Sequence, residues 1–167
     1  MVLTGLNRIA ITDKPMPALR NPDDVLIRMK SVGVCGSDIH YYLHGKIGSQ
    51  VVQFPFTLGH EGAGIIEKTA AGVTALKPGD RIAIDPAMQC HTCDQCKAGR
   101  FNTCRNLKFL GCPGQSEGCL SEYLVMPSSS CYPVPDNMTF DQAALSEPLA
   151  IGLYAVESAG SMTGKSV

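Results

Sequence analysis

Four cysteines fall within fifteen residues, at Cys90, Cys93, Cys96 and Cys104, and no other feature restricts the fold as tightly. The stretch around them, about residues 86–111, has few large apolar side chains (Met88, Phe101, Leu107, Phe109) and neither helical nor strand periodicity. A structureless segment that long needs another source of order. Cys-x-x-Cys-x-x-Cys followed by a fourth thiol supplies it, because four thiolates close a tetrahedral shell around zinc at about 2.3 Å and leave no open position. In zinc-finger peptides such binding contributes on the order of 10–16 kcal/mol to folding. Lys97, Arg100, Arg105 and Lys108 lie in or beside the loop, where they would offset the negative charge of the cluster and favour thiolates. The alternatives are two disulfides or an iron–sulfur cluster. The first three spacings fit a bacterial ferredoxin, but the seven-residue gap before Cys104 does not.

The other four cysteines, Cys35, Cys112, Cys119 and Cys131, are scattered. Eight cysteines would suit a small disulfide-stapled secreted domain. Here 167 residues are enough for one ordinary domain with a real core. Met1 to Asp13 has no basic stretch leading into an apolar run, so no secretory signal is read and a cytoplasmic location is expected. Fourteen Lys+Arg against fifteen Asp+Glu leave a net charge of −1 without a basic block. That balance argues against a nucleic-acid or anionic-membrane partner held by charge. No apolar run approaches the ~20 residues of a membrane span.

Seventeen glycines and eleven prolines point to many turns and short strands. Strands are expected at Val2–Thr12, Asp24–Val34, Gly62–Thr69, Arg81–Ile84, Leu120–Met126 and Ser130–Val134. The second of these alternates Val25, Ile27 and Met29 with Leu26, Arg28 and Lys30, as a half-buried strand does. Residues 33–44 form a turn and a short helix capped by Ser37 or Asp38. Lys77-Pro78-Gly79-Asp80 is a strong turn. Thr139 caps a helix, and Pro148 suits the first turn of another carrying Leu149, Ile151, Leu153 and Val156. The fold class is mainly β with a few helices. Gly164-Lys165-Ser166-Val167 is not a phosphate loop, since Ala159 stands where the first glycine belongs, and no Gly-x-Gly-x-x-Gly occurs anywhere.

A second constellation involves Gly33-Val34-Cys35-Gly36-Ser37-Asp38-Ile39-His40 and Leu58-Gly59-His60-Glu61-Gly62. Both are glycine-framed turns at strand ends, where backbone can approach a metal closely. Thiolate, imidazole and carboxylate from separate turns make three ligands, the number a catalytic zinc takes while keeping one position open. On the residues alone, a lone cysteine and a lone histidine are more often packing or surface groups. Other zinc enzymes fit worse: a His-Glu-x-x-His protease needs histidine where Gly64 stands, and the deaminase pattern is absent.

Gly33 through Tyr42, Gly59-His60-Glu61, the four-cysteine lobe and Glu147-Pro148-Leu149, in this order, resemble the zinc-dependent medium-chain alcohol dehydrogenases, and within them the polyol (sorbitol or xylitol) branch. The resemblance covers essentially the whole chain. It implies a GroES-like partial β-barrel catalytic domain over residues 1–155 with a protruding zinc lobe. Residues 156–167 would begin the connection to a Rossmann cofactor domain, so the chain is expected to be a fragment, inactive alone, whose uncovered apolar surface encourages self-association. It implies two zinc ions per chain, one catalytic and one structural, and NAD or NADP in the full-length parent. Cys35 and His60 would bind the catalytic zinc, with Glu61 or Glu147 as the carboxylate ligand. Asp38 would receive the free ring N–H of His60 and fix its tautomer. Ser37 and His40 would relay the proton while hydride leaves a zinc-held alcohol. The implied partner is a small alcohol or polyol, oxidised to a ketone, and the parent would be a homo-oligomer. Tyr41, Tyr42, Phe54 and Phe56 are candidate cleft walls, with core packing as the default reading. The rival class is a non-catalytic, zinc-stabilised GroES-like interaction module.

Overall fold

The structure, a computed structural model, describes residues 1–161 and 163–166. The chain begins with β1 (Val2–Gly5) and β2 (Arg8–Ala10), then β3 (Asp24–Gly33), α1 (Gly36–His44), β4 (Lys46–Ile47) and β5 (Gln50–Val51). It continues through β6 (Glu61–Thr69), β7 (Arg81–Ile84), β8 (Ala87–Met88), α2 (Asp94–Lys97) and β9 (Lys108–Phe109). It closes with β10 (Tyr123–Pro127), β11 (Cys131–Pro133), α3 (Phe140–Ala144) and α4 (Ser146–Ala159). The mainly β class with a few helices expected from the sequence is what forms.

A five-stranded antiparallel sheet in the order β10-β3-β6-β7-β11 organises the domain. One core cluster on it gathers Val25, Ile27, Ile66, Ile82, Ile84 and Met126, with Cys119 and Cys131 packed as small apolar residues. The first four residues of β3 are all buried, Leu26 included, so the strand is covered on both faces at that end rather than half-buried throughout. A second cluster joins Leu3, Tyr41, Val52, Phe56 and Leu58, tying the N-terminal strands to α1 and to the turn before His60. Phe56 is thus a core residue, while Phe54 is exposed. Ala63, Ala83, Ala143 and Ala144 let α3 approach the sheet closely, and the Arg81 guanidinium stacks 4.0 Å from the Phe140 ring centroid.

Two local expectations are corrected. The single strand expected over Val2–Thr12 is a hairpin, because Asn7 takes the left-handed conformation (φ 59°) and turns the chain so that Val2 pairs with Ala10. Asparagine tolerates that region better than other non-glycine residues. Neither Ser37 nor Asp38 is the cap of α1. Cys35 holds that position, and Asp38 sits at the third helical residue, where its carboxylate reaches back to the Cys35 N–H. The Thr139 cap of α3 and the Lys77–Asp80 turn form as expected.

Pro148 lies in the first turn of α4, whose side chains include no buried one among the described residues. Leu149, Ile151, Leu153, Tyr154 and Val156 stand exposed along it. The helix runs across the expected boundary between residues 155 and 156. Of the expected connecting segment, residues 162 and 167 lie outside the described residues. Among the described residues no helix is long and apolar enough to cross a membrane.

Asp24, buried at the start of β3, shows how the sheet edge is anchored. Its Oδ2 accepts from the backbone N–H of Arg20 (2.8 Å) and Asn21 (2.9 Å), which ties the incoming loop to the strand. Burial pushes its pKa up, but these donors outweigh it and hold the carboxyl below its ordinary value of 3.8. With the folded pKa below the unfolded one, its stabilisation is complete above the ordinary value and fades as pH falls through the lower folded value. Asp24→Asn is expected to lower unfolding free energy by roughly 1–3 kcal/mol at neutral pH. In urea titrations the gap between variant and parent closes as the solution is acidified through the aspartate range.

Candidate metal centres

The four-thiol lobe hangs from a neck made by β8 and β9, which pair Ala87 with Phe109 and Met88 with Lys108. Among the described residues between 89 and 107, only Cys96 and Cys104 are buried, so no apolar core explains the ordered path of this loop. The sulfurs of Cys90, Cys93, Cys96 and Cys104 all lie within 4.8 Å of one another. Cys104 to Cys90 is 3.5 Å, and both Cys90 to Cys96 and Cys93 to Cys104 are 4.0 Å. Sulfurs at the corners of a tetrahedron with 2.3 Å bonds to zinc stand about 3.8 Å apart, so the donor set fits that ion. All eight cysteines are free, which removes the disulfide alternative in this structure.

Local hydrogen bonds prepare some of these thiols for ionisation. The Thr92 hydroxyl, then the backbone N–H groups of Thr92 and Cys93, bring Cys90 down to about 5. Cys93 caps α2, and the Cys96 N–H pointing at its sulfur lowers it as well. Burial pushes Cys96 up to about 12, and its sulfur neighbours add to the rise. Of the cations expected to offset this cluster, Arg105 is engaged elsewhere. Its guanidinium makes a two-point contact with Asp94 (2.6 and 2.8 Å), while Arg100 Nε donates to Gln95.

The second centre forms where β3 runs into α1 and where β6 begins. Cys35 follows β3, His60 directly precedes β6, and Glu61, its first residue, pairs in register with Gly33. One ligand atom each from Cys35, His60 and Glu61 lies within 4.8 Å of the others, with His60 and Glu61 buried and Cys35 half-buried. A Cβ at Gly33 would stand 2.1 Å from Glu61 Oε2, so a side chain there would displace the carboxylate from this position. Sulfur, nitrogen and oxygen donors, three in number, suit a catalytic zinc with one position left for substrate. Thiolate and carboxylate together balance the charge of the ion.

Asp38 holds the two ligand-bearing turns together. It is buried, its Oδ2 accepts from the Cys35 N–H at 3.0 Å, and its Oδ1 accepts from the Gly59 N–H at 3.0 Å. Its Oδ2 stands 3.9 Å from His60 Nδ1, beyond hydrogen-bond length, so in this structure the carboxylate serves the backbone of both turns rather than the imidazole ring. The far side of the His60 turn is braced by Gly118, whose N–H donates to Thr57 O at 2.7 Å. A Cβ there would meet Leu58 carbonyl atoms at 2.3 Å.

The remaining expected residues fall in different places. Ser37, in the first turn of α1, lines with His60 a cleft of about 620 Å³. His40 is exposed one helical turn on, and its ring packs edge-on to His44 at 4.7 Å. Glu147, half-buried in the first turn of α4, is not among the atoms gathered around Cys35, yet it feels the same charges. Burial pushes its carboxyl up, His60 draws it down, and Glu61 and Asp85 raise it again. Tyr41 is buried and lines the cleft, whereas Tyr42 packs on the second core cluster. Sequence reasoning missed Gln50, Gln115 and Cys112 as cleft residues, and Phe109, whose ring lies 5.5 Å from that of His60. None of these has a spacing or charge that marks it in the sequence.

Asp38→Ala leaves the Cys35 and Gly59 N–H groups without an acceptor and is expected to lower stability by about 2–4 kcal/mol. Hydrogen exchange at the Gly59 amide should accelerate together with that at Cys35. Unchanged exchange at both would contradict the bridging role.

Residues 21–136 match the family described as the alcohol dehydrogenase GroES-like domain. A probable D-xylulose reductase A of Aspergillus fumigatus is 43% identical over 166 residues, covering 99% of this chain and 46% of that protein. Among solved structures, galactitol-1-phosphate dehydrogenase from Escherichia coli superposes with a TM-score of 0.86 at 30% identity, covering 95% of this chain and 44% of that one. L-idonate 5-dehydrogenase from Escherichia coli gives a TM-score of 0.84 at 30% identity, with coverage of 95% and 46%. The chain spans about half the length of the curated relatives it matches.

Proposed function

Because the chain belongs to the alcohol dehydrogenase GroES-like domain family, we propose that it is the zinc-binding catalytic part of an NAD- or NADP-dependent dehydrogenase that oxidises a polyol or secondary alcohol to a ketone. The observation that carries this reading is the convergence of Cys35, His60 and Glu61 ligand atoms within 4.8 Å, with His60 also facing the cleft. The name of the Aspergillus relative, a D-xylulose reductase, supports a sugar ketone and its polyol as the reacting pair.

Zinc at this centre supplies Lewis acidity, which lowers the pKa of an alcohol hydroxyl by many units. Cys35 and His60 hold it from two turns, and Glu61 contributes the balancing carboxylate. Glu147 adds negative charge from the first turn of α4, directly or through water. Ser37 Oγ, in the cleft wall, would accept the substrate hydroxyl proton while giving up its own, which would reach the exposed His40 by way of the cofactor ribose and pass from there to solvent. Cys90, Cys93, Cys96 and Cys104 hold a second, structural zinc whose closed shell leaves no place for substrate. The sequence has no Gly-x-Gly-x-x-Gly turn to hold a dinucleotide, so hydride transfer requires a nicotinamide cofactor bound elsewhere in the parent, and these 167 residues alone are inactive.

Metal analysis of the purified chain tests the reading. Two zinc ions per chain are expected, with Cys35→Ser losing one and Cys96→Ser the other. The second substitution should also open the lobe to proteolysis, whereas the first should not. A parent chain that holds only one zinc, or a Cys35→Ser variant with the same zinc content as its parent, would overturn the catalytic assignment, and steady oxidation of xylitol with NAD by this chain would overturn the claim of inactivity.

A further inference from the structure

Two glutamines line the cleft with Ser37 and His60, and each already has its amide oxygen engaged. The Tyr41 hydroxyl donates to Gln50 Oε1 at 2.8 Å, and the Phe109 backbone N–H donates to Gln115 Oε1 at 2.8 Å. A backbone N–H can only donate, so the Gln115 amide is fixed with its oxygen toward the β9 strand. Burial pushes the Tyr41 phenol up to about 12, so it keeps the proton that it donates to Gln50 Oε1 in this structure. Each amide therefore has both N–H groups left over, Gln50 half-buried in the wall and Gln115 at the exposed rim.

The rest of the wall is apolar, from Ile47, Leu107 and Leu110, and among the described residues no lysine or arginine lines it. Uncharged, directional donors on an apolar surface suit the lone pairs of hydroxyl groups. A phosphate or carboxylate held against these walls, away from the metal centre, would give up hydration without meeting a lysine or arginine, which is unfavourable. Sites that recognise such anions supply Arg or Lys.

We propose that Gln50 and Gln115 are the specificity-determining residues of this cleft, holding the hydroxyl groups of a neutral polyol and selecting it over phosphorylated or carboxylated sugar derivatives. The proposal rests on the reading of Cys35, His60 and Glu61 as zinc ligands, because that centre fixes which end of the substrate reacts. Gln50, half-buried in the wall whereas Gln115 stands at the exposed rim, carries the larger share.

The test uses the zinc-loaded 167-residue chain and begins with zinc content and protection of Cys35 from alkylation, which report on the metal reading independently. Saturation-transfer NMR then follows xylitol, xylonate, galactitol 1-phosphate and 2-butanol. Xylitol is expected to bind at least tenfold more tightly than either anion. Gln50→Leu should weaken xylitol at least tenfold and Gln115→Leu a few-fold, both leaving 2-butanol unchanged, since a donor site loses only ligands that use the donor. Gln50→Lys should reverse the order and favour xylonate. Thermal melts confirm that each variant is folded, and a variant that is not is replaced by the other glutamine's. With Cys35 protected by zinc, absent xylitol binding, equal affinity for the anions, or an unchanged Gln50→Leu variant overturns the proposal. Unprotected Cys35 overturns the zinc reading instead, and the inference falls with it.

Discussion

A single buried carboxylate sets the geometry on which the rest depends. Asp38 accepts one backbone N–H from the turn that carries Cys35 and another from the turn that carries His60, and so joins two segments far apart in sequence. Hydrogen bonds to an ionised, buried acceptor are stronger than neutral ones, and leaving either donor unpaired would be costly. The strands on either side complete the constraint. β3 and β6 pair through to Gly33 and Glu61, so the sheet delivers both turns to one end, and the missing side chain at Gly33 is what lets the Glu61 carboxylate enter.

The lobe and the cleft are linked by the same short stretch of chain. Shortly after Cys104 the chain returns through β9, and Leu107, Phe109 and Leu110, in and beside that strand, form one wall of the cleft. With no apolar core inside the lobe, whatever orders the four sulfurs also orders the approach to this wall. Phe109 connects the two directly: its backbone lies in the neck of the lobe, its N–H orients Gln115, and its ring packs beside His60. The four-sulfur lobe, remote from Cys35, thereby positions one wall of the cleft.

The features legible in the sequence were those with local signatures. The thiol spacing located the lobe, the alternation in β3 located a central strand, and Thr139 marked the start of α3. What escaped had no local signal. The hairpin at Asn7 lacks the paired glycine that usually announces a tight turn, and cysteine is not a residue one reads as a helix cap. The partner of Asp38 is a backbone N–H of Gly59, visible only once the sheet has brought the turns together. Gln50 and Gln115 carry no charge and no spacing relative to the ligands, so their place in the cleft emerges only from the fold. Glu61 and Glu147 could not be separated by sequence, whereas the structure gathers Glu61 with Cys35 and His60 and leaves Glu147 at the margin.

The most direct measurement is an anomalous-scattering map, at the zinc edge, from crystals of the chain grown with zinc. The account predicts two peaks, one enclosed by four sulfurs and one about 2.3 Å from the Cys35 sulfur and about 2.0–2.1 Å from a ring nitrogen of His60. A map with density only in the lobe, and the Cys35 and His60 side chains turned away from each other, would contradict it.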